Sequence, residues 1–192
     1  MNDDVFSYPR NYKEILASTH ELGFNQLSDG KAGSILSTLC ASKRGGKFLE
    51  LGTGTGLCTS WMLQGMCELS TLITVDNEEV LVDVARKYLK EDQRVEFIVG
   101  KGEDLIDKLK PSSLDLIFAD TWPGKYHHLE ETLNLLKVGG FYIIDDMLPQ
   151  DNWPEGHETK SIDLMNNLSS RDNFTVTQMS WSTGLIVCVK NA

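Results

Sequence analysis

The chain has 192 residues, the length of one ordinary domain with a full hydrophobic core. Its 18 basic and 28 acidic residues give a formal net charge of −10 with no long basic run, which argues against a broad nucleic-acid surface. No apolar run reaches the ~18 residues of a membrane-spanning helix, no apolar leader precedes the first element, and the four cysteines are scattered as in reduced proteins. We therefore expect a cytoplasmic protein that inserts into no membrane.

Short apolar runs alternate with segments of helical periodicity along most of the chain. The predicted strands are Lys47–Leu51, Thr71–Val75, Val95–Val99, Leu114–Ala119 and Phe141–Ile144. The predicted helices between them are Gly56–Cys67, Glu78–Glu91, Glu103–Leu109 and Tyr126–Lys137. Two further predicted helices, Tyr12–Leu22 and Lys31–Ser42, precede the first strand and are expected to cover the core. Strand–helix alternation of this kind predicts a parallel sheet that is buried on both faces.

The end of the chain breaks this alternation. Two β-rich runs, Phe174–Ser180 and Leu185–Lys190, are separated by a short turn that contains Gly184. The pattern predicts a hairpin, which places an antiparallel strand in the otherwise parallel sheet.

A glycine-rich loop, ELGTGTG, follows the first predicted strand and opens a helix. Its members are Glu50, Leu51, Gly52, Thr53, Gly54, Thr55 and Gly56. Glycines permit positive φ and let a ligand lie against bare backbone, and the N-terminus of the following helix presents free N–H groups. A tight strand–helix turn without a ligand would give the same pattern.

Two features of this loop restrict the class of ligand that it could bind. Leu57 stands where a dinucleotide-binding loop requires glycine, so a pyrophosphate would fit poorly. Glu50, two residues before the first glycine, could contact an amino group of a cofactor.

Acidic residues follow the next two predicted strands. Asp76 and Asn77 come at the tip of the second strand, where a carboxylate can bind both hydroxyls of a ribose. The same aspartate could instead cap the helix that starts at Glu78. Gly102 and Glu103 follow the third strand, where an acidic loop can reach an adenine amino group or simply begin a helix.

Five segments follow one another along the chain: ELGTGTG, VDN, GKGED, DLIFAD and LLKVGGFYIIDD. Their order resembles that of the class I S-adenosylmethionine-dependent methyltransferases, and among them the catechol and caffeoyl-CoA O-methyltransferase group. The resemblance covers about Asp29–Leu148 and includes the DGKAG segment at its start. It implies an α/β, Rossmann-like, seven-stranded, mainly parallel sheet with an antiparallel C-terminal strand. We expect a single domain over 1–192, with covering helices in 1–45 and the sheet core with its hairpin in 46–192.

The resemblance also implies S-adenosylmethionine as the cofactor. The residues expected to contact it are Glu50, Gly52, Thr53, Gly54, Gly56, Asp76, Asn77, Gly102, Glu103, Asp120 and Trp122.

In the resembled group three oxygen ligands hold a divalent cation, and by position they fall on Asp120, Asp145 and Asp146. Mg²⁺ or Ca²⁺ would suit such oxygen donors, and the cation would orient an acceptor hydroxyl and lower its pKa. This chain departs from the group in having Asp146 where the group has asparagine.

A second departure concerns the catalytic base. The lysine that serves as base in the group falls on Pro123, which cannot accept a proton. Lys125 is the nearest replacement, with His127 and His128 as further candidates. All three could instead be surface residues at the start of a helix.

The expected activity is methyl transfer to an oxygen of a small hydroxylated, catechol-like acceptor, with Asp120 and Lys125 as catalytic residues. Trp153 and His157, in a polar segment after the fifth strand, could face this acceptor. Methylation of a tRNA base, or cofactor binding without catalysis, are the alternatives. Leu57 disfavours a dinucleotide oxidoreductase. We expect a monomer or a homodimer.

Overall fold

Seven strands form one sheet in the computed structural model, which describes residues 6–151 and 153–192. The strands are β1 (Lys47–Leu51), β2 (Thr71–Asp76), β3 (Val95–Val99), β4 (Leu114–Ala119), β5 (Leu136–Ile144), β6 (Phe174–Met179) and β7 (Leu185–Lys190). The helices are α1 (Tyr12–Glu21), α2 (Gly30–Ser42), α3 (Leu57–Gly65), α4 (Glu79–Leu89), α5 (Gly102–Ile106), α6 (Leu129–Asn134) and α7 (His157–Ser169). No helix of the described residues is long and apolar enough to cross a membrane.

The strand order is β3-β2-β1-β4-β5-β7-β6. Strand β7 runs antiparallel to both of its neighbours, while β1 to β5 pair in parallel. The predicted α/β fold class, including the C-terminal hairpin, is therefore confirmed. The chain progresses outward in one direction from β1 and in the other from β4, so a crevice opens at the carboxyl ends between these two strands, where ligands of open α/β sheets bind.

Side-chain alternation along the strands builds a core on each face of the sheet. Phe48 and Phe118 point to the face covered by helices α1 to α4, whereas Leu49 and Ile117 point to the face covered by α5 to α7. All four side chains are at most 1% exposed. The near-continuous burial of β1 and β4 explains why their sequences read as unbroken apolar runs.

Three elements differ from the sequence predictions. The predicted helix Tyr126–Lys137 shrinks to α6, because positive φ at Gly124 and His128 makes a turn before it. The following residues join β5, which therefore begins at Leu136 rather than Phe141 and contains a register shift opposite β4. Helix α7 was not predicted, since its polar sequence carries only a few buried positions.

Candidate active site

The carboxyl ends of β1, β2, β4 and β5 surround one crevice of about 550 Å³. Ten residues expected from the sequence line it: Gly52, Thr53, Gly54, Asp76, Asn77, Asp120, Trp122, Lys125, Asp145 and Asp146. Residues at the ends of four strands thus meet because parallel strands end at the same edge of the sheet.

The glycine loop and β2 form one end of the crevice. Gly54 donates its N–H to Asp76 Oδ2 at 2.8 Å, and Glu78 donates its N–H to Asp76 Oδ1 at 3.0 Å. Gly52 has φ +105°, and a Cβ there would lie 2.7 Å from a methyl of Thr121, so only glycine fits. The Asp76 carboxylate therefore fixes the loop and lines the cavity. It bonds the N–H of Glu78 without capping α4, and its contact with a ribose stays a prediction.

Glu50 lies under this loop rather than in the crevice wall. Alternation along β1 points its side chain toward α3, where it is fully buried. Thr59 and Thr74 donate their hydroxyls to Glu50 Oε2 at 2.5 and 2.7 Å. Burial raises the pKa of this carboxyl to about 8, although the two hydroxyl bonds lower it.

Three other residues expected at the cofactor also lie outside the crevice lining. Gly56 has φ +91°, and a Cβ there would lie 2.8 Å from Ala85 Cβ, so this glycine permits α3 and α4 to pack closely. Gly102 begins α5 and lies against Pro123, where a Cβ would be 3.1 Å from the proline ring. Glu103 occupies the first turn of the same helix.

A turn after β4 directs Lys125 into the protein. Lys125 and Tyr126 both donate their N–H groups to the carbonyl of Trp122, and Gly124 takes φ +84° at the bend. The lysine side chain is 4% exposed, and its Nζ donates to the carbonyl oxygen of Asp145 at 2.6 Å. Lys125 is consequently part of the site, and not a surface residue.

Each carboxylate near Lys125 is bound by a protein donor. Ser28 Oγ donates to Asp120 Oδ2 at 3.2 Å. Thr183 Oγ1 and the N–H of Asp146 both donate to Asp145 Oδ1 at 2.8 Å. The first bond joins the segment before α2 to the end of β4, and the Thr183 bond joins the β6–β7 turn to the end of β5.

The charges of this group shift one another's pKa. Burial raises the pKa of Asp120 to about 7, with a further rise from the Asp145 charge and an opposing effect of Lys125. Burial likewise raises the pKa of Asp145. Burial lowers the pKa of Lys125, while the three facing carboxylates, Asp120 first, raise it. The ammonium and the carboxylates therefore stabilise one another's charged forms.

The resemblance implies a divalent-cation site formed by the three aspartates of this group. Asp120, Asp145 and Asp146 do share the crevice. Nevertheless, no three His, Cys, Asp or Glu side chains of the described residues come together as a group that could hold a metal ion. A buried lysine lies among these carboxylates instead. The side chains do not fit a divalent cation as they stand.

Aromatic side chains form the opposite wall. Tyr126 Oη lies 3.0 Å from His157 Nε2, and the His157 ring packs against Trp122, Tyr126 and Trp153 at centroid distances of 5.5, 5.0 and 4.3 Å. Trp153 Nε1 donates to Asp146 Oδ2 at 3.1 Å. His157 lines the crevice, and Trp153 packs on it without being one of the lining residues. That they face an acceptor stays a prediction, whereas His127 and His128 bond to each other at an exposed site.

Several crevice residues had no signal in the sequence. The segment 24–28, between α1 and α2, lines the cavity, and so does Thr183 in the β6–β7 turn. Neither segment carries a motif, because a serine or threonine in a turn is ordinary turn chemistry. Only the return of β7 beside β5 brings Thr183 to Asp145.

Comparison with known proteins shows which family the chain belongs to. The sequence pattern of the family described as "Methyltransferase domain" matches residues 49–147, more than half of the chain. The chain belongs to the methyltransferase domain family. A protein of Mycobacterium ulcerans (strain Agy99), provisionally named O-methyltransferase, is 31% identical over 117 residues, covering 58% of this chain and 52% of that protein. A Mycobacterium leprae (strain TN) protein with a similar provisional name is 30% identical over 139 residues, covering 68% and 62%. The chain thus spans between half and two thirds of the length of these curated relatives.

Solved structures of low sequence identity share the fold. The O-methyltransferase of Bacillus cereus, solved with S-adenosylhomocysteine (SAH), has a TM-score of 0.84 at 20% identity, covering 98% of this chain and 94% of that one. The Streptomyces achromogenes O-methyltransferase TomG, solved with S-adenosylmethionine, has a TM-score of 0.84 at 19% identity, covering 98% and 92%. This methyltransferase domain therefore adopts the complete fold of such proteins.

Proposed function

We propose that this chain transfers the methyl group of S-adenosylmethionine to an oxygen of a small hydroxylated acceptor. One observation carries the proposal: the Gly52–Gly54 loop with Asp76, and the group formed by Asp120 and Lys125, open onto the same crevice. A cofactor held at the first place would present its methyl group to an acceptor held at the second.

The relatives support the same assignment. The Bacillus and Streptomyces structures of this fold hold SAH or S-adenosylmethionine. The curated mycobacterial relatives carry O-methyltransferase names. The crevice volume, about 550 Å³, is in the range of small-molecule sites.

The reaction is a direct displacement. A bond forms between the acceptor oxygen and the methyl carbon, the carbon–sulfur bond breaks, and its electron pair stays on sulfur to give the neutral thioether. The acceptor's proton passes to a base at the strand ends, for which Asp120 is placed, while Lys125 faces the oxygen's developing negative charge from beside it. The protein supplies mainly position and charge, because the cofactor already carries the activated methyl group.

Cofactor binding is tested first through Asp76. SAH should raise the melting temperature of the wild type, because it binds the native state only. Asp76→Ala should weaken SAH binding by about 1.5–3 kcal/mol, because a charged hydrogen-bonding partner is lost. Isothermal titration calorimetry measures both proteins.

Two controls accompany this test. Asp83→Ala removes an exposed carboxylate of α4 that pairs with Arg86, and it should leave SAH affinity unchanged. NAD should not raise the melting temperature. Tight NAD binding without a response to SAH would contradict the proposal, and SAH binding without methylation of any catechol or phenol would favour a non-catalytic binding protein.

A further inference from the structure

The acceptor end of the crevice contains a buried lysine. Lys125 is 4% exposed, and its Nζ is anchored on the carbonyl oxygen of Asp145 at 2.6 Å. Three carboxylates, those of Asp120, Asp145 and Asp146, act on its charge and oppose the effect of burial. Among the described residues that line the crevice, Lys125 is the only lysine or arginine.

The carboxylates around this lysine are partly engaged by protein donors. Ser28, Thr183 and Trp153 each donate to one oxygen of a different carboxylate. Mg²⁺ and Ca²⁺ are held by carboxylate oxygens with waters completing the shell, so the protein must offer converging carboxylate oxygens that are free to bind. No three acidic, His or Cys side chains of the described residues are gathered in that way.

We infer that the Lys125 ammonium takes the place of a divalent cation in this site, so that the chain binds its acceptor and transfers the methyl group without a metal. The inference rests on the proposed function and assigns the source of positive charge in it. An ammonium is a compact point charge with three donors. One is used on the Asp145 carbonyl, which leaves two for carboxylate or acceptor oxygens.

The turn that carries Lys125 supports this role. Pro123 stands where the resembled group has its lysine, and the bend at Gly124 brings the later Lys125 inward from another angle. A Cβ at Gly124 would lie 2.5 Å from Leu51 Cδ1, so this bend is tightly packed against β1. The backbone that carries the lysine is therefore fixed by its packing against β1, and the bond to the Asp145 carbonyl places the ammonium among the carboxylates.

Manganese binding tests the inference directly. Mn²⁺ titrations followed by electron paramagnetic resonance should show no saturable site in the wild type below about 1 mM, with or without SAH. Lys125→Met keeps a long apolar stem but removes the ammonium, so the carboxylates lose their counter-charge. The variant should bind Mn²⁺ at least about tenfold more tightly than the wild type.

Lys137→Met is the matched control. It removes one positive charge from the chain as well, but Lys137 pairs with Asp115 at the far end of β4. This variant should bind Mn²⁺ as the wild type does. SAH affinity, measured by calorimetry on all three proteins, should vary by less than about threefold, because the ammonium faces the acceptor end.

The outcomes separate this inference from the proposed function. Saturable micromolar Mn²⁺ binding by the wild type, or activity that is lost in EDTA and restored by Mn²⁺, would overturn the inference. So would a Lys125→Met variant that binds Mn²⁺ no better than Lys137→Met. If Lys125→Met does not fold, Lys125→Gln and the wild-type titration decide. Failure to bind SAH would instead remove the proposed function and leave the Mn²⁺ comparison readable.

Discussion

The Glu50 carboxyl is enclosed by protein, and hydroxyl donors reach only one of its oxygens. Its Oε1 is buried without a hydrogen-bond partner among the described residues. Ionisation of such a group is costly, which accounts for the rise of its pKa to about 8. Burial thus favours the neutral form of Glu50, and its bonds to Thr59 and Thr74 join β1 to α3 and β2 beneath the glycine loop.

Glu50→Gln should reveal this as a pH-dependent difference in stability. Because the folded-state pKa is raised, the carboxyl contributes stability fully below its unfolded pKa, and that contribution is lost as pH rises to about 8. Between the unfolded-state pKa and pH 8, the free energy of unfolding of the variant should therefore rise relative to that of the wild type, by up to about 1.4 kcal/mol per pH unit. Urea unfolding at pH 5, 6, 7, 8 and 9 measures the difference.

Above pH 8 the difference in free energy of unfolding between variant and wild type should be constant, since Glu50 is then ionised in both the folded and the unfolded wild type. Because Glu50 does not line the crevice, SAH affinity of the variant should stay within about threefold of the wild type at pH 7. A stability difference that does not change between pH 5 and 8 would contradict the assigned burial. A large loss of SAH affinity would instead support direct contact with the cofactor.

Asp120 lies between Ser28 and the lysine, at the acceptor end of the crevice. Asp120→Asn should lower kcat by about 10²–10⁴-fold, because a group that holds or receives the acceptor's proton is lost. SAH affinity should change much less, because the glycine loop and Asp76 are untouched. Steady-state kinetics and calorimetry on one preparation separate the effects. A loss of SAH affinity as large as the loss of kcat would place Asp120 on the cofactor instead.

At the scale of elements, the α3–α4 contact depends on one glycine of the loop. Gly56→Ala must place a methyl group 2.8 Å from Ala85 Cβ at φ +91°. The strain and crowding should lower the free energy of unfolding by about 2–4 kcal/mol. Denaturant titration checks this value.

Gly23→Ala provides the matched control for that prediction. Gly23 also has positive φ, +70°, but a Cβ there meets no atom within 4 Å. Gly23→Ala should therefore lower the free energy of unfolding by the backbone strain alone, about 1 kcal/mol. Equal effects of the two substitutions would show that the helix contact does not require a glycine.

Elements with strong periodicity or complete burial could be predicted from the sequence, and the others could not. The strands β1 to β4 were predicted nearly to the residue, because they are apolar runs bounded by glycine or charge. Helix α7 lacks such a pattern, since its polar residues outnumber its buried positions.

The residues of the candidate site also fall into those that the sequence could place and those that it could not. Asp76, Asp120 and Asp145 could be placed on one crevice because each ends a parallel strand, and topology alone determines that edge. The sequence proposed Lys125 for the site but left a surface position open, because its inward turn depends on the bend at Gly124 and on the space beside β1. The roles of these residues stay predictions until they are measured.

For the whole molecule, the charge distribution bears on the choice between a small acceptor and tRNA. The chain carries a formal net charge of −10. The described crevice lining includes acidic side chains at Asp76, Glu78, Asp120, Asp145 and Asp146. Its one lysine is buried. A phosphate backbone would be repelled by this rim, and few counterions would be released on binding.

Fluorescence anisotropy with labelled bulk tRNA measures whether the whole protein binds tRNA as weakly as its charge predicts. At about 150 mM salt the Kd should be weaker than about 10⁻⁴ M, because even non-specific binders rely on clustered lysine and arginine to reach that range. Any binding seen at lower salt should show a shallow salt dependence, since few phosphates would be neutralised. Radiolabelled S-adenosylmethionine offered with either tRNA or a mixture of catechols should label the catechols only. Saturable micromolar tRNA binding with a steep salt dependence would require a basic track on this acidic chain, and would favour a tRNA base as the methyl acceptor.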